Sequence, residues 1–267
     1  MTTARAVPGV ATDLPSCVDV RGALCVFLSG SLVEGWGHRD SDVDVYVVRE
    51  EGPAHADFLS TLGLVDHEVE TAVHFVDGRR WDVCYWTPGL LDDLFARLGE
   101  YRDDVRGLAK LLQPSDVAFL YRLSAGVAIA GHEYLRERQF VVERSGAAAA
   151  IACAAAEEAD AAIEDALGLE ASGDLHSSVL AARRALDHAI DAFSAHQGAL
   201  APAEKWRYLK YRQALDKVTD PPLSLTEYWR LQTMREFSPE NPGEWVQLTL
   251  DKCYSLLSVL TSAQVSG

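Results

Sequence analysis

The alternation of apolar and polar residues predicts a small mixed β-sheet in the first half of the chain. Three segments combine β-branched residues with turn residues, and they read ALCVFLSG, DVDVYVV and AVHFVDGRRWDVCYW. Inside the third segment, Asp77-Gly78 separates two strand-like stretches and is typical of a β-hairpin turn. We therefore expect these segments to pair as strands of one sheet.

A different periodicity predicts helices. The segments PGLLDDLFARLG and SDVAFLYRLSAG carry apolar residues at helical spacing, and Ser115 is placed to cap the second helix. After about Gly131 the chain becomes rich in alanine, the strongest helix former. One later segment has an apolar stripe of helical period at Val179, Ala182, Leu186, Ala189, Ile190 and Phe193. The sequence predicts an α+β fold, with a small mixed-sheet domain over 1–135 and an all-α helical bundle domain over 136–267.

The net charge, the apolar runs and the cysteines of the chain indicate which partners and which cellular location to expect. The chain of 267 residues has 40 acidic and 24 basic residues and a net charge of −16, which would repel a nucleic acid. Its beginning lacks the apolar core of a signal peptide, and the run AAAAIACAAA is shorter than the ~20 residues that a membrane span needs. The 5 cysteines form no CxxC pair and are interpreted as reduced thiols. We expect a cytoplasmic protein without a nucleic-acid or membrane partner.

Two aspartates interrupt the apolar pattern of the second predicted strand. Asp42 and Asp44 are two residues apart, so on a strand they share one face while the intervening and following valines share the other. Two neighbouring carboxylates need a cation, and Mg²⁺ is a cation that prefers oxygen ligands. The alternative interpretation is an exposed edge strand with two solvated aspartates.

Other polar residues near this strand favour a metal and phosphate site. Gly30 and Ser31 follow a buried type of strand, where glycine lets backbone amides approach a phosphate and serine can donate its hydroxyl. Arg39 and Ser41 precede the carboxylates and add further donors. Asp82 lies in another predicted strand and is a candidate third carboxylate for the same metals.

The combined motif resembles that of a known family. Gly30-Ser31, a short spacer, Asp42-Val43-Asp44 and a later strand aspartate resemble the signature of the DNA polymerase β-like nucleotidyltransferase superfamily. The resemblance covers roughly residues 20–90, and the helical half behind it is similar to that of small antibiotic nucleotidyltransferases. It implies that residues 1–135 form a nucleotidyltransferase domain.

The resemblance also implies a reaction and roles for the residues. A nucleoside monophosphate would pass from a nucleoside triphosphate, with ATP as the expected donor, to a hydroxyl of a small-molecule acceptor such as an antibiotic or a natural-product intermediate. Gly30 and Ser31 would hold the phosphates, and Asp42 and Asp44 would hold two Mg²⁺ ions. Asp82 would bind one ion and the acceptor hydroxyl. Two metals bridged by carboxylates stabilise the charge on the attacking and leaving oxygens.

The helical half has one locally basic segment, APAEKWRYLKYRQ. Its Lys-Trp-Arg triplet, which begins at Lys205, is similar to that of kanamycin-type nucleotidyltransferases, in which a lysine contacts the triphosphate. The glutamate that those enzymes place one turn earlier is Ala201 here, so Asp82 is the candidate for the base. A solvated basic helix face is the alternative. Asp187 and Asp191, one turn apart, are interpreted either as structural residues or as ligands of an acceptor's ammonium groups.

Two other functional classes remain open from the residues. Minimal nucleotidyltransferases also occur as antitoxins or as protein-modifying enzymes, but these tend to be much shorter than this chain. A non-catalytic nucleotide-binding module is the other alternative, and the presence of Asp42, Asp44 and Asp82 disfavours it.

Overall fold

The computed structural model describes residues 14–264 except 54, 201, 202 and 236. The start of the chain, from which the lack of a signal peptide was inferred, therefore lies largely outside the described residues. The chain divides into two compact units. The sheet unit comprises residues 1–103 and 111–146, and the helical unit comprises 104–110 and 147–267. The α+β class predicted from the sequence is confirmed.

One six-stranded sheet forms the centre of the sheet unit. Its strands are β1 (Cys25–Ser29), β2 (Val43–Val48), β3 (Phe58–Leu62), β4 (His67–Val76), β5 (Arg79–Trp86) and β6 (Val127–Ala130). They are arranged in the order β3-β4-β5-β2-β1-β6. Strands β2 and β5 run parallel, whereas the other neighbours are antiparallel. Asp77 and Gly78 have φ of 51° and 77° and join β4 to β5, which confirms the predicted hairpin turn.

The sequence pattern did not predict β3 and β6. In β3, an edge strand, all residues but the last are exposed, so there is no alternation of buried and exposed positions. Strand β6 has only 4 residues and is defined by its antiparallel pairing with β1. Both strands depend on a neighbouring strand, and local hydrophobic periodicity carries no signal for such pairing.

The central strands are buried on both faces. On one face the valines of β2, such as Val45, pack in an apolar cluster with residues of β1 and β5. On the other face Phe27, Tyr46 and Trp86 form an aromatic layer, in which the ring of Trp86 stacks on that of Phe119 with 3.8 Å between centroids. Burial on both faces leaves the ends of these strands as the places where polar side chains reach water.

Helices occur in both units, whose bounds are those given above and not the division at 135/136 expected from the sequence. Those of the sheet unit are α1 (Pro88–Glu100), α3 (Pro114–Ser124) and α4 (His132–Arg144), and α2 (Val105–Leu111) lies between α1 and α3, with all but its last residue in the helical unit. The helical unit continues with α5 (Ala147–Ser172), α6 (Leu175–His196), α7 (Arg207–Leu215), α8 (Leu225–Gln232) and α9 (Pro242–Gln264). In the described part of the chain, none of these helices combines the length and the apolar character required to cross a membrane.

The predicted apolar stripe of α6 is confirmed, because all of its residues are buried. The predicted cap of α3 was wrong. Ser115 lies inside the first turn, because the helix begins at Pro114. The carboxylate of Asp116 instead accepts the backbone N–H of Gln113 at 2.8 Å. Proline suits the first helical position because its missing N–H would have no partner within the helix.

Candidate active site

Three polar side chains form a row across the middle of the sheet. Ser29 at the end of β1 pairs with Asp44 of β2, and Asp44 pairs with Asp82 of β5. Residues directly opposite each other on neighbouring strands point to the same face, and the strands lie about 4.8 Å apart. We call Ser29, Asp44 and Asp82 the polar row. It lies on the face opposite to Val43, Val45 and Val47 of β2.

The polar row borders the aromatic layer. The next row inward contains Phe27, Tyr46 and Cys84, which occupy the same three strands. The side chains of Asp44 and Asp82 are each 21% exposed. Charges at such a boundary are only partly solvated, so they interact with a bound cation more strongly than charges in bulk water would.

Two arginines hold the carboxylates of the polar row. The Nε of Arg80 donates to Oδ1 of Asp82 at 2.7 Å, and the Nη1 of Arg122 donates to Oδ2 of Asp44 at 3.2 Å. Arg80 is on β5 itself, two residues before Asp82, whereas Arg122 comes from α3. Sequence reasoning missed both. The spacing of Arg80 and Asp82 could have indicated a shared strand face, but the sequence has no signal that brings α3 to β2.

Asp42 precedes β2 and is exposed. The negative charge of its carboxylate nevertheless acts on Arg80, the arginine that is hydrogen-bonded to Asp82 of the polar row. The hydrogen bond from Arg80 to Asp82 raises the pKa of Arg80, and the negative charges of Asp42 and Asp44 raise it further. Of the three aspartates singled out in the sequence, Asp82 contacts Arg80 and the other two act on its charge from a greater distance.

Gly30 leaves space for the contact between Asp44 and Arg122. Its φ of +84° is in the left-handed region that disfavours residues with a Cβ. A Cβ at this position would also collide with Oδ2 of Asp44 and Nη1 of Arg122. Glycine is thus required both by the backbone and by the two side chains that fill the volume beside it.

We expect Gly30→Ala to lower the free energy of unfolding by ~1–3 kcal/mol more than Gly35→Ala, because only the first substitution overfills a packed site. Gly35 is a matched control, since its φ is +75° and nothing lies within 4 Å of an added Cβ. Denaturant unfolding followed by tryptophan fluorescence measures both variants. Equal losses in the two variants would show that the strained backbone alone accounts for the effect.

Ser29 carries a hydroxyl with an unused hydrogen-bonding capacity. The residue is 2% exposed, and within the described part of the chain its Oγ has no hydrogen-bond partner. A buried hydroxyl without a hydrogen bond lowers the free energy of unfolding by about 1–3 kcal/mol. Its place in the polar row, next to Gly30, puts this hydroxyl beside the carboxylate of Asp44.

The donors of this site fit Mg²⁺ in their chemistry. Asp42, Asp44 and Asp82 offer carboxylate oxygens and Ser29 a hydroxyl, and hard divalent cations prefer oxygen ligands. In the arrangement seen here, no group of three histidine, cysteine, aspartate or glutamate side chains among the described residues is placed to hold a metal ion. In the same arrangement, Arg80 and Arg122 contact oxygens of two of the carboxylates.

The remaining predicted residues of the sheet unit lie in the loop between β1 and β2. This loop is closed by its own hydrogen bonds: the carbonyl of Ser31 accepts two later backbone amides at 2.8 and 2.9 Å. The Oγ of Ser41 accepts the backbone N–H of His38 at 2.9 Å, so this oxygen serves the loop itself. Arg39 is exposed, and its carbonyl accepts a hydrogen bond from the side chain of Arg79 at 3.1 Å.

Lys205 belongs to the helical unit and lies in a short 3₁₀ turn, Glu204–Trp206. It is exposed, and its Nζ lies 5.2 Å from the centroid of the Trp206 ring, which is within range of a cation–π interaction. Ala201, which replaces the glutamate of the kanamycin-type enzymes, lies outside the described residues.

The structure favours the structural interpretation of Asp187 and Asp191. Arg207, which is buried, donates two hydrogen bonds of 2.9 and 3.0 Å to Asp191. It also forms an ion pair with Asp187, in which Nη1 and Oδ1 are 3.1 Å apart without hydrogen-bond alignment. Burial raises the pKa of Asp191, while the contact with Arg207 opposes this rise. Both carboxylates thus share the guanidinium of Arg207 within the helical unit.

Comparison with solved structures gives distant similarities, of which one is described here. Among solved structures, the chain is similar to a nucleotidyltransferase-like protein from Exiguobacterium sibiricum, with 13% sequence identity and a TM-score of 0.45. The alignment covers 92% of this chain and 71% of that chain. No protein-family model and no curated protein matches the chain. This similarity is too low to establish a common fold.

Proposed function

We propose that the protein is a metal-dependent nucleotidyltransferase. It transfers a nucleoside monophosphate from a nucleoside triphosphate, with ATP as the expected donor, to a hydroxyl of a small-molecule acceptor. The observation that carries the proposal is the register of β2 and β5, which places Asp44 and Asp82 side by side on one face. A sheet gains nothing in packing from two adjacent carboxylates, whereas a site for divalent cations requires them.

Each residue has a defined task in this proposal. Asp42 and Asp44 bind the Mg²⁺ that enters with the triphosphate, and Asp82 binds the second ion and accepts the proton of the acceptor hydroxyl. Gly30 and Ser31 hold the phosphates, and Arg39 and Ser41 in the same loop are further candidate ligands. The two ions supply the stabilisation of negative charge on the attacking and leaving oxygens.

The charge of the protein indicates the class of acceptor. A net charge of −16 disfavours a polyanionic acceptor and favours a cationic or neutral one. The carboxylates of the helical unit that could have bound an ammonium group, those of Asp187 and Asp191, are paired with Arg207. We therefore place no acceptor contact on these two residues.

The proposal is tested by nucleotide binding and turnover in the presence and absence of metal. We expect a nucleoside triphosphate to raise the melting temperature only with Mg²⁺, since the proposed site binds the two together. A ligand at one hundred times its Kd stabilises the native state by ~2.7 kcal/mol. Each of the four nucleoside triphosphates is then incubated with Mg²⁺ and a panel of cationic and neutral hydroxyl compounds, and pyrophosphate release is measured.

Excess EDTA is the control for the metal. An equal thermal shift in EDTA, without pyrophosphate release, would identify a metal-independent nucleotide-binding module instead. If no triphosphate binds under either condition, the nucleotidyltransferase proposal is wrong.

A further inference from the structure

Arg122 is the side chain that connects the carboxylate of Asp44 with the loop that follows β1. Its Nη1 contacts Oδ2 of Asp44 at 3.2 Å, and the same nitrogen occupies the space beside Gly30 that a Cβ would need. The guanidinium is 29% exposed, and its centre lies 5.4 Å from the ring centroid of Tyr121. Arg122 is therefore held in place by α3 but is not enclosed in the core.

This contact competes with a metal at Asp44. A divalent cation bound to Oδ2 would take the oxygen to which Arg122 donates, and two positive charges cannot share it without strong repulsion. Binding of a cation to Asp44 through this oxygen must therefore displace the guanidinium. A displaced and partly buried guanidinium needs another anion, because an unpaired charge in such a place is unfavourable.

The triphosphate is the anion that we expect to bind the displaced guanidinium of Arg122. Arg122 already borders Gly30, the residue proposed to lie against the phosphates, and guanidinium groups bind phosphate oxygens in a planar, bidentate way. Arg80 is placed differently: it pairs with Asp82 on β5, and β2 separates this strand from β1 in the sheet. Arg122 is thus the better placed of the two arginines to exchange Asp44 for a phosphate.

We propose that Arg122 is a triphosphate-binding residue that exchanges partners, from the carboxylate of Asp44 to a phosphate, when metal and nucleotide bind together. The inference rests on the proposed nucleotidyltransferase function. It makes the binding of metal and triphosphate mutually dependent, because either ligand alone leaves one charged group without its partner. Such coupling is reciprocal, so each ligand strengthens the binding of the other by the same factor.

The test measures binding rather than turnover. Mn²⁺ replaces Mg²⁺ as the probe, and its affinity is measured by electron paramagnetic resonance for Mn²⁺ alone and with tripolyphosphate or a non-hydrolysable ATP analogue. In Arg122→Gln we expect Mn²⁺ alone to bind ~10-fold more tightly than in the wild type, since the guanidinium of Arg122 no longer competes for Oδ2 of Asp44. We expect the same variant to bind the triphosphate with Mn²⁺ ~10-fold more weakly.

Arg138→Gln is the matched control. Arg138 belongs to the same unit, is 24% exposed, and pairs with Asp92 at 3.4 Å while lying near the ring of Tyr134. We expect this variant to show wild-type affinities for both probes. Circular dichroism and the melting temperature establish that each variant is folded. If Arg122→Gln does not fold, Arg122→Lys takes its place; it retains the charge but not the bidentate geometry, so we expect Mn²⁺ alone to bind as in the wild type and the triphosphate more weakly.

The outcomes separate this inference from the proposed function. Opposite changes in the two affinities of Arg122→Gln, or the selective loss of triphosphate affinity in Arg122→Lys, support the exchange. A wild type that binds the Mn²⁺–triphosphate complex, together with Arg122 variants that bind both probes unchanged or lose both equally, overturns the inference and leaves the function intact. A wild type that shows no metal-dependent triphosphate binding overturns both.

Discussion

Asp44→Asn is expected to abolish nucleotidyl transfer while the sheet unit stays folded. The substitution removes the charge that would bind the metal and keeps the volume of the side chain. Losing one preorganised electrostatic contact lowers kcat by ~10²–10³-fold, and we expect at least this much for a carboxylate that serves a metal. Loss of the ion pair with Arg122 should lower the free energy of unfolding by only about 1 kcal/mol, because the side chain of Arg122 is 29% exposed and retains contact with water.

Pyrophosphate release with saturating triphosphate, Mg²⁺ and an accepted acceptor measures the effect. Asp92→Asn is the control, since Asp92 also pairs with an arginine of the sheet unit, Arg138, and lies outside the polar row. It should retain full activity. An Asp44→Asn protein that keeps more than about a tenth of the wild-type rate would remove Asp44 from the proposed metal site.

Asp82→Asn is expected to lower kcat by a similar ~10²–10³-fold factor but to change triphosphate affinity little. In the proposed mechanism Asp82 interacts with the acceptor's proton and with the ion that activates the hydroxyl. Both interactions form mainly in the transition state, so their loss affects rate more than binding in the ground state. Calorimetric titration with Mg²⁺ and a non-hydrolysable triphosphate measures the affinity, and pyrophosphate release measures kcat.

Arg80→Gln is the control for loss of the ion pair, because it removes the 2.7 Å contact to Asp82 and leaves the carboxylate in place. We expect this variant to retain most of the activity that Asp82→Asn loses. A parallel fall of affinity and rate in Asp82→Asn would make Asp82 a nucleotide ligand. Unchanged affinity and rate would make it a structural residue, and Glu133, exposed in the first turn of α4, would be examined next as the base.

Local sequence patterns were sufficient for most of the regular structure. The hairpin at Asp77-Gly78, the apolar stripe of α6 and the alanine-rich helices follow from turn chemistry and helical period, which act within a few residues. One error concerned pairing with another segment of the chain, and the other concerned the choice between neighbouring capping residues. The edge strand β3 lacks a hydrophobic pattern, and the helix α3 begins one residue before the predicted cap, Ser115.

The residues of the candidate site were predicted less completely than the elements that carry them. The period of two along a strand predicted that Asp42 and Asp44 share a face. Asp82 was identified as the later strand aspartate of the motif that begins at Gly30. The sequence held no indication of the two arginines as partners of these carboxylates. Arg122 is 78 positions away from Asp44, and its approach depends on how α3 packs on the aromatic layer.

The sequence by itself determined the α+β class, the hairpin, the alanine-rich helices and the kinds of side chain available for chemistry, because these depend on short-range periodicity and composition. Only the tertiary structure decided that Asp44 pairs in register with Asp82, that Ser29 lies beside them with a hydroxyl that no described residue pairs with, and that Gly30 makes room for Arg122. These features arise from strand register and helix packing between segments that are far apart in the chain. Pairing of that kind is set by the shape and burial of the whole sheet unit, for which a single sequence carries no local signal.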